Sequence, residues 1–141
     1  MIRNHEMPPN WKKIKAFFKL HYGVVFAYFP DIYNPDGVPV SYPLEAHENV
    51  HLRQQEAFGV EKWWDMYCLN PDFRLSQEVL AHQEQFREAK RFIKDRNKLF
   101  RYLDGMAREL SSELYGNIIT PSEAMRAIES ETPIEFDLHK K

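Results

Sequence analysis

The sequence predicts an α+β, predominantly helical domain, with a small edge sheet ahead of one polar helix and a longer helix after it. Three observations lead there. Apolar residues recur at helical spacing over most of the chain, as in Trp11, Ile14, Phe17 and Phe18, and again in Leu99, Tyr102, Leu103, Met106 and Leu110. A β-branched and aromatic run from Val24 to Phe29 interrupts that pattern between Gly23 and Pro30. Third, the chain contains His47-Glu-Asn-Val-His51, in which two histidines stand one helical turn apart with a glutamate between them.

The chain has 141 residues, enough for one domain with a real core, and its 43% hydrophobic and 28% charged content is that of an ordinary globular protein. Net charge is −2, which gives no general attraction to nucleic acid or to an anionic membrane. Cys68 is the lone cysteine, so an internal disulfide is excluded. The first residues lack the apolar core of a signal peptide, and the longest apolar run is far too short to span a bilayer. A soluble, cytoplasmic protein is the expectation. Aromatic content of 14% suggests a ring-rich core, groove or dimer interface, and oligomeric state stays open.

Taken in order, Pro8, Pro9 and Asn10 punctuate an entry segment. A first amphipathic helix then runs from Trp11 to about His21, with Gly23 as its C-cap and Lys12, Lys13, Lys15 and Lys19 as a solvated face. Residues 24–29 read as a strand, residues 30–37 as turn, and residues 38–42 as a second short strand. Pro39 confines that second strand to a sheet edge, where an extended peptide could pair with it. A helix from about Tyr42 to Phe58 carries the two histidines; Pro43 suits its first turn and Gly59 closes it. Trp63, Trp64, Met66, Tyr67 and Leu69 mark a short helix stopped by Asn70-Pro71, its tryptophans more in keeping with core than with a substrate shelf. A long helix follows from about Leu75, capped by Asp72, with a break near Asp95 to Asn97 and another helix reaching Leu114 and Gly116. Thr120-Pro-Ser-Glu123 is a capping box that opens a last short helix, and the polar tail from about residue 131 reads as mobile. One domain covers 1–141.

On a helix, His47 and His51 lie about 40° apart around the axis, so both rings can reach one zinc ion while Glu48 sits beside them. A catalytic zinc takes three protein ligands and keeps one open position. Glu56 is about 140° from His51 and points away. Gln54 and Ala57 stand where a Gly and a third His would complete a His-Glu-x-x-His-x-x-Gly-x-x-His arrangement, which excludes that class of site. The third ligand must come from the long helix, which offers Glu78, His82, Glu84 and Glu88. Glu78 is the best of these: Val79 and Leu80 place it near the core, small Ala81 permits close helix approach, and a buried carboxylate needs a partner. A pair with Arg74 is the plain alternative for Glu78.

His47-Glu-Asn-Val-His51 followed by Glu78-Val-Leu-Ala-His82 resembles the gluzincin group of zinc metallopeptidases, in which a glutamate from a following helix completes the site. With Trp63-Trp64 and Phe73-Arg-Leu75, the pattern is also similar to small metallopeptidases inferred from phage and prophage genomes. The resemblance covers residues 44–85. It implies a zincin-like fold, Zn2+ held by His47, His51 and Glu78, and a peptide or protein substrate. It further implies a zinc-activated water from which Glu48 takes a proton as general base. His82, Tyr42 and Tyr33 are candidates to donate to the oxyanion or to bind substrate, His82 equally to orient a ligand. His82 stands where many gluzincins have Asp, and the size of 141 residues departs from a group whose members usually carry an additional substrate domain. Two further readings stand beside this one: a zinc-stabilised helical assembly protein without turnover, and a metal-free interaction module whose histidines pack in the core. His5, His21 and His139 show no partner spacing.

Overall fold

The structure, a computed structural model, describes residues 1–130; the tail read from about residue 131, with His139, lies outside the described residues. The order of elements is β1 (Ile2–Asn4), α1 (Trp11–Phe17), β2 (Phe26–Tyr28), β3 (Asp31–Asn34), α2 (Tyr42–Phe58), α3 (Val60–Leu69), α4 (Pro71–Phe92), α5 (Arg96–Leu110), a 3-10 turn (Glu113–Tyr115) and α6 (Pro121–Glu129). The expected α+β, predominantly helical class holds. Among the described residues, no helix is long and apolar enough to cross a membrane.

The sheet differs from expectation. Its order is β1-β3-β2, with β1 parallel to β3 and β2 antiparallel to it. The entry segment therefore contains a strand, pinned where Arg3 Nε donates to Asp31 at 2.8 Å. The segment read as turn contains the central strand β3, and residues 38–42 form no strand. Three- and four-residue strands carry too little alternation to stand out, and Asp31 and Asn34 look like turn residues until the partner strand is known. The edge at β2 is also less open than a bare strand. Gln55 Nε2 and Trp64 Nε1 both donate to the Ala27 carbonyl, at 2.8 and 3.0 Å, and the Phe29 N–H donates to Gln55 Oε1 at 2.7 Å. The Gln55 side chain thus pairs with β2 much as a neighbouring strand would, and ties the sheet to α2 and α3.

Helix ends follow local chemistry. Ser41 caps α2 with Pro43 in its first turn, and Gly59, at φ 93°, ends it as read. Asn70, rather than Asp72, caps α4, its side chain accepting from the Phe73 N–H at 3.1 Å, so that helix begins earlier than Leu75. Helix α1 stops at Phe17, and the Gly23 N–H instead donates to Asp36 at 2.7 Å. Asp95 caps α5, which ends at Leu110 rather than Leu114; the Ser111 and Ser112 hydroxyls donate back to the Arg108 and Glu109 carbonyls and turn the chain. Thr120 and Glu123 make the full capping box of α6.

Two apolar clusters form among the described residues. One joins Leu75, Val79 and Phe86 of α4 to Leu103, Met106 and Leu110 of α5 and Ala124, Ala127 and Ile128 of α6. The other joins Ile14, Phe26, Trp63, Trp64 and Cys68, which makes the tryptophans core, as expected. Arg74 ties this framework at the α3–α4 junction. It does not pair with Glu78: its guanidinium donates to the carbonyls of Tyr67, Cys68 and Leu114 at 2.8, 3.1 and 2.7 Å. Replacing it by Met would leave three carbonyls without their donor. Arg74→Met is expected to cost about 3 kcal/mol of unfolding free energy in urea titration, and a loss below about 1 kcal/mol would contradict this role.

Candidate metal centre

Helix α2 presents an unusual inner face: its buried residues are His47, Glu48, Val50, His51 and Gln55, so burial of apolar surface cannot by itself hold the helix in place. The polar groups meet α4. Glu78, 3% exposed, lies between the histidines, with Oε1 3.0 Å from His47 Nε2 and Oε2 3.1 Å from His51 Nε2. Glu48 Oε2 is 3.7 Å from His47 Nε2. The four residues singled out from the motif and the following helix are thus brought together. Two of their atoms, His51 Nε2 and Glu78 Oε1, are buried with no hydrogen-bond partner despite these short separations. Both are atoms that can ligate a metal ion.

His82 is buried beside them. Its Nδ1 bonds the Glu78 carbonyl at 2.7 Å, and since a carbonyl only accepts, Nδ1 carries a proton. Its Nε2 faces Glu109 Oε1 at 3.6 Å. His47, Glu78 and His82 do offer ligand atoms within 4.8 Å of one another. The committed Nδ1 and the Nε2 turned toward Glu109 nevertheless make His51, with its unpaired Nε2, the better third donor, and leave His82 as a group that supports Glu78.

Tyr33 and Tyr42 do not reach the site. Tyr33, on β3, packs with the Trp63 cluster, and Tyr42 is exposed, its ring 6.0 Å from that of Phe92. Glu84 and Glu88 pair with Arg87 and Arg91 on the outside of α4. The hydroxyl that does arrive is that of Tyr67, which donates to Glu78 Oε2 at 2.5 Å while its ring stacks on Trp63. Nothing local in the sequence marks Tyr67, because α3 meets α4 only in the folded chain. Gln54 and Gln85 also join: their Oε1 atoms each lie 2.8 Å from an Nδ1, of His51 and His47 respectively. Spacing could have found Gln54, three residues beyond His51, and Gln85, two turns beyond Glu78.

A cleft of about 420 Å³ opens onto these groups, lined by His47, Glu48, His51, Tyr67, Glu78 and Glu109 and, on its apolar walls, by Ile14, Phe18, Leu20, Val24 and Leu114. The electrostatics fit an enclosed site. Burial pushes the Glu48 carboxyl up, against the pull of His47 and His51. Burial alone would raise Glu78 too, but the charges of His51 and His47 hold it well below the usual carboxylate range. Burial also raises the Tyr67 phenol, with the Glu78 charge adding to it.

Comparison with protein families, curated proteins and solved structures returns no match to this chain. The residues themselves therefore carry the functional reading.

In the metal-free protein, burial pulls the His51 imidazolium pKa down, but the Glu78 charge, with help from Glu48 and Gln54, pushes it up to about 9. That exceeds the value of about 6.5 in an unfolded chain, so the stabilisation is complete below pH ~6.5 and disappears as pH rises through the folded value. Glu48, raised by burial, acts in the same direction. The urea midpoint of chelator-treated protein is expected to fall between pH 6.5 and 9. A midpoint that is flat or rising across that window would show that His51 gains no proton affinity from Glu78.

Proposed function

We propose that this chain is a zinc-dependent hydrolase of peptide bonds, a minimal zincin-like peptidase of the gluzincin type. The observation that carries the reading is the convergence of His47 Nε2, His51 Nε2 and the Glu78 carboxylate in a buried pocket, with two of the converging atoms left without a hydrogen bond. Two imidazoles and one carboxylate are a donor set suited to zinc in a catalytic role. Bound there, zinc would supply Lewis acidity, polarising a carbonyl and acidifying water.

The protein groups divide the remaining work. Glu48 lines the cleft beside the ligand set, and its raised carboxyl suits a base that takes a proton from water and later passes it to the departing amine. Tyr67, kept protonated by burial, gives its hydroxyl proton to Glu78 Oε2 and so orients that carboxylate, while neither Tyr33 nor Tyr42 lines the cleft. His82, fixed between the Glu78 carbonyl and Glu109, holds the ligand-bearing turn of α4. The apolar walls of the cleft suit a peptide segment carrying an apolar side chain. Access through this cleft also argues against a closed, purely structural zinc site.

Glu48→Gln is expected to retain stoichiometric zinc and to lose peptide hydrolysis by about 100-fold or more, since it removes the base and keeps the shape. Full activity in that variant would dismiss Glu48 as the base. Glu78→Ala is expected to lose zinc on dialysis and to lower the urea midpoint, while circular dichroism still shows a helical fold; unchanged zinc content would remove Glu78 from the ligand set.

A further inference from the structure

We propose that Gln54 and Gln85 are positioning residues of the metal centre, each amide oxygen holding one histidine ring in the tautomer that leaves its Nε2 lone pair for the cation. The proposal rests on the zinc reading above and extends it from the ligands to the groups behind them.

Hydrogen-bond chemistry fixes the first case. The Gln77 carbonyl can only accept, so the Gln54 amide nitrogen must be the atom facing it, at 3.1 Å. This turns Gln54 Oε1 toward His51 Nδ1 at 2.8 Å. An amide oxygen can only accept, so Nδ1 carries the proton, and in the neutral ring Nε2 carries the lone pair. That Nε2 is the buried atom with no partner. In the second case the Tyr102 hydroxyl can donate as well as accept, so the placement of the Gln85 amide itself sets the form. Gln85 Oε1 lies 2.8 Å from His47 Nδ1, and Gln85 Nε2 donates to the Tyr102 hydroxyl at 2.9 Å. The two amides come from different helices and are anchored on different elements, so each histidine has its own support.

Neutrality of the acceptor matters. Metal-bound histidines often donate their other N–H to a carboxylate, whose charge raises the basicity of the ligand. Here both acceptors are amides. Glu48 and Glu78 already place two buried carboxylates at the site, enough to balance one dication, and further buried anions would go without partners. Amides orient the rings without adding charge. Gln→Glu keeps an acceptor and adds a negative charge behind the ligand; Gln→Met fills the space and has no acceptor.

The test is a zinc competition titration against a chromophoric chelator, on the metal-stripped 141-residue chain and its Q54M, Q85M, Q54E and Q85E variants. Visible spectra of the same proteins loaded with cobalt(II) accompany it. The Met variants are expected to bind zinc about 10- to 100-fold more weakly and to give altered cobalt spectra. Q85E, whose carboxylate can accept from the Tyr102 hydroxyl, is expected to bind at least as tightly as the parent; Q54E, which sets an oxygen against the Gln77 carbonyl, is expected to bind more tightly than Q54M. Met variants with parental zinc affinity and parental cobalt spectra would overturn the proposal while leaving the zinc site intact. Should a Met variant fail to fold, Q85E still decides: affinity below the parent's overturns the role. A parent protein that binds no zinc would overturn both this proposal and the functional reading beneath it.

Discussion

The burial of one carboxylate, that of Glu78, between two imidazoles of a neighbouring helix is the constraint around which this molecule is built. An ionised carboxylate removed from water is costly unless opposite charge or several donors meet it. Helix α4 commits Glu78 to that position because Leu75, Val79 and Phe86 on the same helix are buried against α5 and α6. Helix α2 answers with His47 and His51, and Tyr67 of α3 adds a hydroxyl. Because the inner face of α2 is mostly polar, its place against α4 depends on those contacts being satisfied together.

The rest of the fold holds that meeting point from either side. The α4–α5–α6 cluster supplies a rigid base, and the Trp63–Trp64 cluster supplies one wall of the cleft. Gln55, one turn beyond His51, grips strand β2 through the Ala27 carbonyl and the Phe29 N–H, so the sheet and the histidine helix are registered by one side chain. Arg74 does the corresponding work at the other end, binding three carbonyls where α3, α4 and the 3-10 turn meet. The outcome is a cleft whose floor is polar and whose walls are apolar.

What could be read in the sequence is what local rules determine. The spacing of His47 and His51 fixes a shared helix face whatever else the chain does, and Gly59, Thr120 and Glu123 mark helix ends through their own backbone bonds. Glu78 was accessible because an acidic residue among Val79, Leu80 and Ala81 demands a partner. The sheet was largely not accessible. Strand β1 exists because β3 lies beside it, and β3 is built from residues that alone suggest a turn. Tyr33 and Tyr42 lie near the histidine helix in sequence, whereas Tyr67 arrives through helix packing that no local pattern encodes. The glutamine supports lay between these extremes, visible as spacing but recognisable only once Gln77 and Tyr102 were seen to orient them.

All of this turns on whether a cation occupies the point on which the Nε2 atoms and the Glu78 carboxylate converge. Anomalous diffraction from crystals grown with zinc, recorded on both sides of the zinc absorption edge, addresses it directly. The expected result is a single strong peak within bonding distance of His47 Nε2, His51 Nε2 and Glu78, with Glu48 beside it and not bound to it. A featureless map at that position, or a zinc held by His82 and Glu109 with His51 turned away, would contradict the ligand set and with it the hydrolytic reading.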